Sequence, residues 1–209
     1  MADTPPPSPD HKSPLSRFAK GLTIAGRGLL SWVILPLVMV LVLHTFVFQA
    51  YHVEGTSMLQ TLQNRDYLIV SKLDDTIAQV RHAVNKNADY LPARGQIIVF
   101  HYPVDPAEIF VKRVIALPGD RVVVRNGTVT VYNDARPAGY NPDVAYEPSG
   151  TQTLEDTDIT VTPGHVFVMG DNRTPGGSFD SRAWGQLPSE NIIGNAIMRL
   201  LPVAQSKLF

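Results

Sequence analysis

A mainly β domain behind one N-terminal membrane helix is the fold the sequence predicts, and three observations predict it. Between Arg27 and Glu54 there is no Asp, Glu, Lys or Arg, and the run "LLSWVILPLVMVLVLHTFVFQA" inside that window is almost wholly apolar. The rest of the chain breaks into short runs rich in Val, Ile and Thr, bounded by Pro, Gly or Asp, a pattern that belongs to strands. Asn126-Gly127 stands between two such runs, and Asn-Gly readily supplies the two left-handed positions of a tight hairpin turn.

Taken in order, residues 1–28 read as a disordered, basic tail. "MADTPPPSPDHKSP" is rich in Pro and polar residues and cannot bury enough apolar surface to offset the entropy of ordering it. Residues 29–50 read as a transmembrane anchor, since about twenty apolar residues span a hydrocarbon core as a helix. Pro36 is placed to kink it, and His44 stands near its far end. A cleaved signal peptide would need small residues at its exit, but "FVFQA" puts Phe48 three positions from a cut after Ala50. Lys12, Arg17, Lys20 and Arg27 precede the run. The bias of basic residues toward the cytoplasm therefore puts the N-terminus inside and residues 51–209 outside.

That outer part reads as the β domain. Its strands are expected at "DYLIVSK", "QIIVFHYP", "IFVKRVIAL", the hairpin "RVVVRNGTVTVY", "GHVFVMG" and "NIIGNAIMRL". Two insertions interrupt it. "DDTIAQVRHAVNKNADY", near 74–93, reads as helix or loop, and the polar stretch near 133–160 reads as a surface excursion that the core does not need.

Composition narrows the chemistry. There is no cysteine among the 209 residues, which removes disulfides, thiolate catalysis and cysteine-bound zinc. A net charge of -1 gives no electrostatic case for nucleic acid. The six histidines are scattered with no HExxH pair, and there is no GxxxxGK[ST] loop, so neither a metal nor a nucleotide cofactor is expected.

Two residues draw attention by chemistry. If 110–117 is a strand, Phe110, Lys112, Val114 and Ala116 share one face and Val111, Arg113 and Ile115 the other. Lysine in an apolar row is rarely buried unless paired or functional, although an edge lysine that snorkels would read the same way. Ser57, in "VEGTSMLQTL", follows directly on the anchor. A serine hydroxyl is a poor nucleophile until a base takes its proton, and a neutral lysine can serve. A histidine base (His52, His101 or His165) and a simple turn-capping hydroxyl remain open. In "GDNRTPGGSFDSRAWG", Asp180 and Arg182 read first as a loop-shaping ion pair, with Ser178 beside them.

Four stretches, "GTSM", "RGQIIVF", "FVKRVIALPGD" and "GDNR…S.DSRAWG", occur in that order behind the anchor. Together they resemble the boxes of bacterial type I signal peptidases (leader peptidases), the Ser-Lys proteases that remove signal peptides from exported proteins. The resemblance covers residues 29–200 apart from the two insertions. It implies a β-barrel or coiled β-sheet catalytic domain, Ser57 as nucleophile and Lys112 as general base. Ser178 would orient the lysine by hydrogen-bonding it, with Asp180 and Arg182 in support. Val53, Met58 and Val111 would line shallow pockets for the small residues at positions -3 and -1 of the substrate. It also implies a single-pass protein of the bacterial cytoplasmic membrane. Its partners would be signal peptides of exported preproteins and membrane lipid, close to the secretion machinery. Eight residues separate Phe48 from Ser57, at most about 3.5 Å each, so the nucleophile would lie near the outer membrane surface.

The chain departs from the family pattern in several places. Gln60 stands where S-M-x-P-T-L has Pro, and Gln96 stands where the second box has Asp. "TPGGS" is two residues longer than the commonest form, so Ser178 is assigned by its place before "FDSR". Gly55 occupies the position where some members carry a serine oxyanion donor, which leaves the Ser57 N–H and a second donor still to be found. Two alternatives stand beside this reading: a self-cleaving Ser-Lys regulator of transcription, and an anchored β-rich scaffold of the same fold without activity.

Overall fold

The computed structural model describes residues 30–72, 91–146, 148, 153–201 and 206–209. The tail read over 1–28 and most of the insertion read near 74–93 lie outside them. The chain divides into two compact units, Met1–His44 and Thr45–Phe209.

In the first unit a π-helical turn, Leu30–Ile34, leads into the helix α1, Leu35–Phe46. Pro36 has no N–H to give to the preceding turn and its ring crowds the carbonyl four residues back, and a widened π turn is one way a helix absorbs that conflict. The side chains from Ser31 to Leu41 are all exposed, Trp32 and Leu35 among them. Among the described residues no helix is long and apolar enough to cross a membrane. The apolar run does not stay helical to Ala50, because Phe48–His52 is a strand paired to Tyr67–Ser71. An apolar run bounded by no breaker cannot by itself reveal where helix gives way to strand.

The second unit is mainly β, as expected. Its strands are β1 (Phe48–His52), β2 (Tyr67–Ser71), β3 (Ile97–His101), β4 (Ile109–Ala116), β5 (Arg121–Arg125) and β6 (Thr128–Asn133), followed by β7 (Arg136–Tyr140), β8 (Thr157–Thr160), β9 (His165–Met169), β10 (Leu187–Pro188), β11 (Ile192–Leu201) and β12 (Lys207–Leu208). One sheet runs β1-β2-β11-β3-β4-β9-β10 with β12 on β11, and the other runs β7-β6-β5-β8. The Asn126-Gly127 hairpin forms as read, with Val123 opposite Thr130 and both turn residues at positive φ.

The stretch near 133–160 is not a dispensable surface excursion. It contributes β7 and β8, and Tyr140, Tyr146 and Ile159 pack on the buried cluster that includes Val122, Val124, Val129 and Val131. Polar sequence hid this, because β7 and β8 are edge strands with one face open to water.

On β4 the expected alternation holds only in part. A register shift between Val114 and Ala116 turns Ala116 into the cluster of Ile115, while Val114 stays with Phe100 and Val168. A bulge inserts one residue and moves everything beyond it to the other face. Lys112 lies before the bulge, on the side of Phe110.

Candidate active site

Lys112 is held in the middle of β4, in the part of that strand paired to β3. It lies opposite Ile98 of β3, is 4% exposed, and its Nζ sits 5.3 Å from the centre of the Phe110 ring. Ser57 lies in the turns that follow β1. Leu59 N donates to Thr56 O, Leu62 N donates to Met58 O, and Gly55 takes φ +94°, a conformation open to glycine. These two supports bring Lys112 Nζ to 2.6 Å from Ser57 Oγ.

Among the described residues no histidine hydrogen-bonds Ser57. His101 Nδ1 contacts Pro106 O, His165 Nδ1 contacts Pro163 O and Thr162 Oγ1, and the ring of His52 packs on Tyr67 at 4.8 Å. Burial pulls Lys112 down from its ordinary 10.5 to about 8. Asp180 and Asp171 act against that shift and Arg182 adds to it.

The loop after β9 locks the serine from behind. Asn172 N donates to Ser57 O at 3.0 Å and Asn172 Nδ2 donates to Thr56 O at 3.0 Å. A Cβ on Gly170 would overlap the Ser57 carbonyl and the Ser178 side chain, so only glycine lets the three segments meet. Asp171 is gripped by Arg113 through both carboxylate oxygens and receives the Thr61 hydroxyl. That network ties the neighbour of Lys112 to the turn carrying Ser57. Among the described residues the Ser57 N–H makes no hydrogen bond, while Gly55 N–H is already given to Asn64 Oδ1 at 3.0 Å.

Asp180 and Arg182 form the ion pair read from sequence, at 2.8 Å, and Asp180 caps the short helix α2, Ser181–Trp184. Desolvation alone would raise the Asp180 carboxyl. The Arg182 guanidinium, the Gly170 N–H and the Ser178 hydroxyl outweigh it and hold the group below its ordinary value. Ser178 differs from expectation. Its hydroxyl donates to Asp180 Oδ2 at 2.8 Å, while Lys112 Nζ donates to Ser57 Oγ and no hydrogen bond joins Lys112 to Ser178 among the described residues. It still reaches the site, through its contact with Gly170.

A cleft of about 460 Å³ opens beside the pair, with Tyr51–Gly55 and Ile109–Lys112 among its walls. Val53 and Val111 line it. Met58 does not: it is 2% exposed and packs into the cluster of Leu62, Val70 and Ile97. Tyr51, Leu68, Val99 and Phe179 complete the lining and were missed. Val99 alone had a signal, since it lies directly opposite Val111 on the paired strand.

The departures from the family pattern have local answers. Gln60 takes φ +77°, which proline with φ near −65° cannot adopt, so the turn here follows another path. Gln96 Oε1 accepts from Ala93 N at 2.8 Å, so an acceptor persists where the pattern has Asp.

The profile of the family described as "Signal peptidase, peptidase S26" matches residues 27–201. "Probable signal peptidase I-1" of Synechocystis sp. is 38% identical over 176 residues, covering 81% of this chain and 79% of that one. "Signal peptidase I" of Leptolyngbya laminosa is 34% identical over 213 residues, covering 96% and 89%. "Signal peptidase I" of Bacillus caldolyticus is 36% identical over 176 residues, covering 78% and 85%.

Proposed function

The chain belongs to the S26 family of signal peptidases, and from that premise we propose that it is a serine endopeptidase that cleaves signal peptides from exported preproteins through Ser57 and Lys112. The observation that carries this reading is the 2.6 Å approach of a buried lysine nitrogen to a serine hydroxyl. An intact pair of this kind speaks against the inactive scaffold.

The neutral Lys112 amine takes the Ser57 proton as Oγ attacks the carbonyl carbon of the residue at -1. The Ser57 N–H meets the oxyanion that forms. Lys112, now an ammonium, gives its proton to the departing amine of the mature protein, leaving an ester on Ser57. A water molecule, deprotonated by Lys112, then hydrolyses that ester and restores the hydroxyl. Asp180 stays ionised beside Arg182 and holds the Ser178 loop. The cleft, walled by two strand segments, suits an extended peptide, and its floor of Val53, Leu68, Val99 and Val111 suits small apolar side chains.

The membrane setting belongs to the same reading: the chain is a single-pass protein of the bacterial cytoplasmic membrane with residues 51–209 outside. The exposed apolar side chains from Trp32 to Leu41 support it, since a surface of that kind is normally covered. Contact with membrane lipid and nearness to the secretion machinery follow from the substrate, a membrane-inserted peptide.

The test is cleavage of a preprotein by the full chain in detergent. Wild type should release the mature protein, and Ser57→Ala, Lys112→Ala and Lys112→Arg should all be inactive, since a guanidinium cannot act as a base near neutrality. Substantial activity in Lys112→Ala, or its loss in only one of His52→Ala, His101→Ala and His165→Ala, would replace this mechanism with a histidine one.

A further inference from the structure

The cleft has two kinds of surface. Its floor is buried, with Leu68 at 1% and Val99 at 2%, whereas Ile109 and Phe179 at its mouth are 45% and 53% exposed. Single exposed apolar residues are ordinary on a protein surface, but Phe179 is not free-standing. Its ring meets Tyr102 edge-on at 5.9 Å, and Tyr102 in turn stacks on Phe110 at 4.9 Å. The backbone on either side is fixed as well, because Ser178 Oγ donates to Asp180 Oδ2 and Asp180 is clamped by Arg182. A ring backed in this way is already ordered before substrate arrives, so covering it costs little conformational entropy.

An extended peptide alternates its side chains. With the residues at -1 and -3 directed at the floor, the residue at -2 points to the mouth. Phe179 follows Ser178 directly in its loop and lines the same cleft as Ser57 and Lys112. Ile109 is three residues along β4 from Lys112, farther from the chemistry.

We propose that Phe179 is a specificity-determining residue that reads the side chain at position -2 and favours an apolar one. This inference rests on the signal-peptidase reading of the same site. The attraction comes from removing both the ring and the -2 side chain from water. In a half-open site the gain falls at the low end of what apolar contacts give, about tenfold in kcat/KM.

The experiment uses the full chain in detergent and peptides identical except at -2, with Ala fixed at -1 and -3. Wild type should cleave the -2 Leu peptide about tenfold faster in kcat/KM than the -2 Gly peptide. Phe179→Ala should collapse that ratio to within about twofold, and Phe179→Tyr should keep it. A wild-type ratio near one overturns the inference without needing any variant. So does a ratio that survives in Phe179→Ala. If wild type cleaves neither peptide nor a preprotein, the signal-peptidase reading falls and takes this inference with it. Equal cleavage of both peptides sinks only the role of Phe179.

Discussion

At Lys112 the fold enlarges the share of the neutral state that water disfavours. With its pKa at about 8, roughly one lysine in eleven is unprotonated at pH 7, against about one in 2,500 for an ordinary lysine. kcat/KM should therefore rise with pH through an acid limb centred near 8, and single-turnover measurement across pH 6–10 checks this. A limb near 6 would point to histidine instead. The same depression makes a claim on stability. Between about 8 and 10.5 the unfolded chain binds more protons at this site than the folded one, so stability rises with pH across that window. Below it the full cost remains, on the order of 3 kcal/mol at 1.36 kcal/mol per unit. Lys112→Met should thus be inactive yet more stable than wild type at pH 7, by denaturant unfolding, with the gain fading above pH 10. Lysine in an apolar row was legible because charge among apolar neighbours is rare. The bond made by Ser178 was not, since sequence gives the acceptors within reach but not which one lies in line.

Among elements, the segment between β6 and β9 had the least readable sequence and turns out to be tied to the site. Arg173 is 1% exposed, and it gives two hydrogen bonds of 2.7 Å to Asp143 in the short helix after β7 and one of 2.8 Å to Gly170 O. Thr153 receives a fourth, at 3.1 Å. The segment between β7 and β8 therefore holds the loop whose Gly170 and Asn172 meet the back of Ser57. Removing one partner of a buried pair leaves an uncompensated charge, at a cost of about 3 kcal/mol. Asp143→Ala should lower stability by that amount in denaturant titration. Arg173→Met added to Asp143→Ala should recover part of the loss, because the orphaned charge goes with it. Additive losses in the double variant would show that the pair is not the support. Strands with strong periodicity, β2, β3, β4 and the β5–β6 hairpin, were readable from pattern alone. β7 and β8 were not, because "RPAGY" and "TDIT" take their places from pairing partners rather than from their own residues. Asp143 could be found only once its partner across 30 residues was known.

For the whole molecule, the chain divides into the compact units Met1–His44 and Thr45–Phe209, a division that leaves orientation to electrostatics. Lys12, Arg17, Lys20 and Arg27 all precede the apolar run, and no Lys or Arg appears again before Arg65. Basic residues close to a membrane segment are retained on the cytoplasmic side, so the proposed single-pass reading directs the β domain outward, to the side where exported chains emerge. The requirement is chemical as well as topological. The bond to be cut lies where a signal peptide leaves the bilayer, and a cytoplasmic Ser57 would meet preproteins before their export. Protease added to intact spheroplasts should therefore digest the β domain, residues 51–209, while an N-terminal tag survives. Replacing Lys12, Arg17, Lys20 and Arg27 together with Gln should scramble the pattern and leave part of the population with a protected catalytic unit and lower preprotein processing. A catalytic unit protected in wild-type spheroplasts would sink the orientation. It would also remove the exported-substrate function that depends on it, whatever the geometry of Ser57 and Lys112.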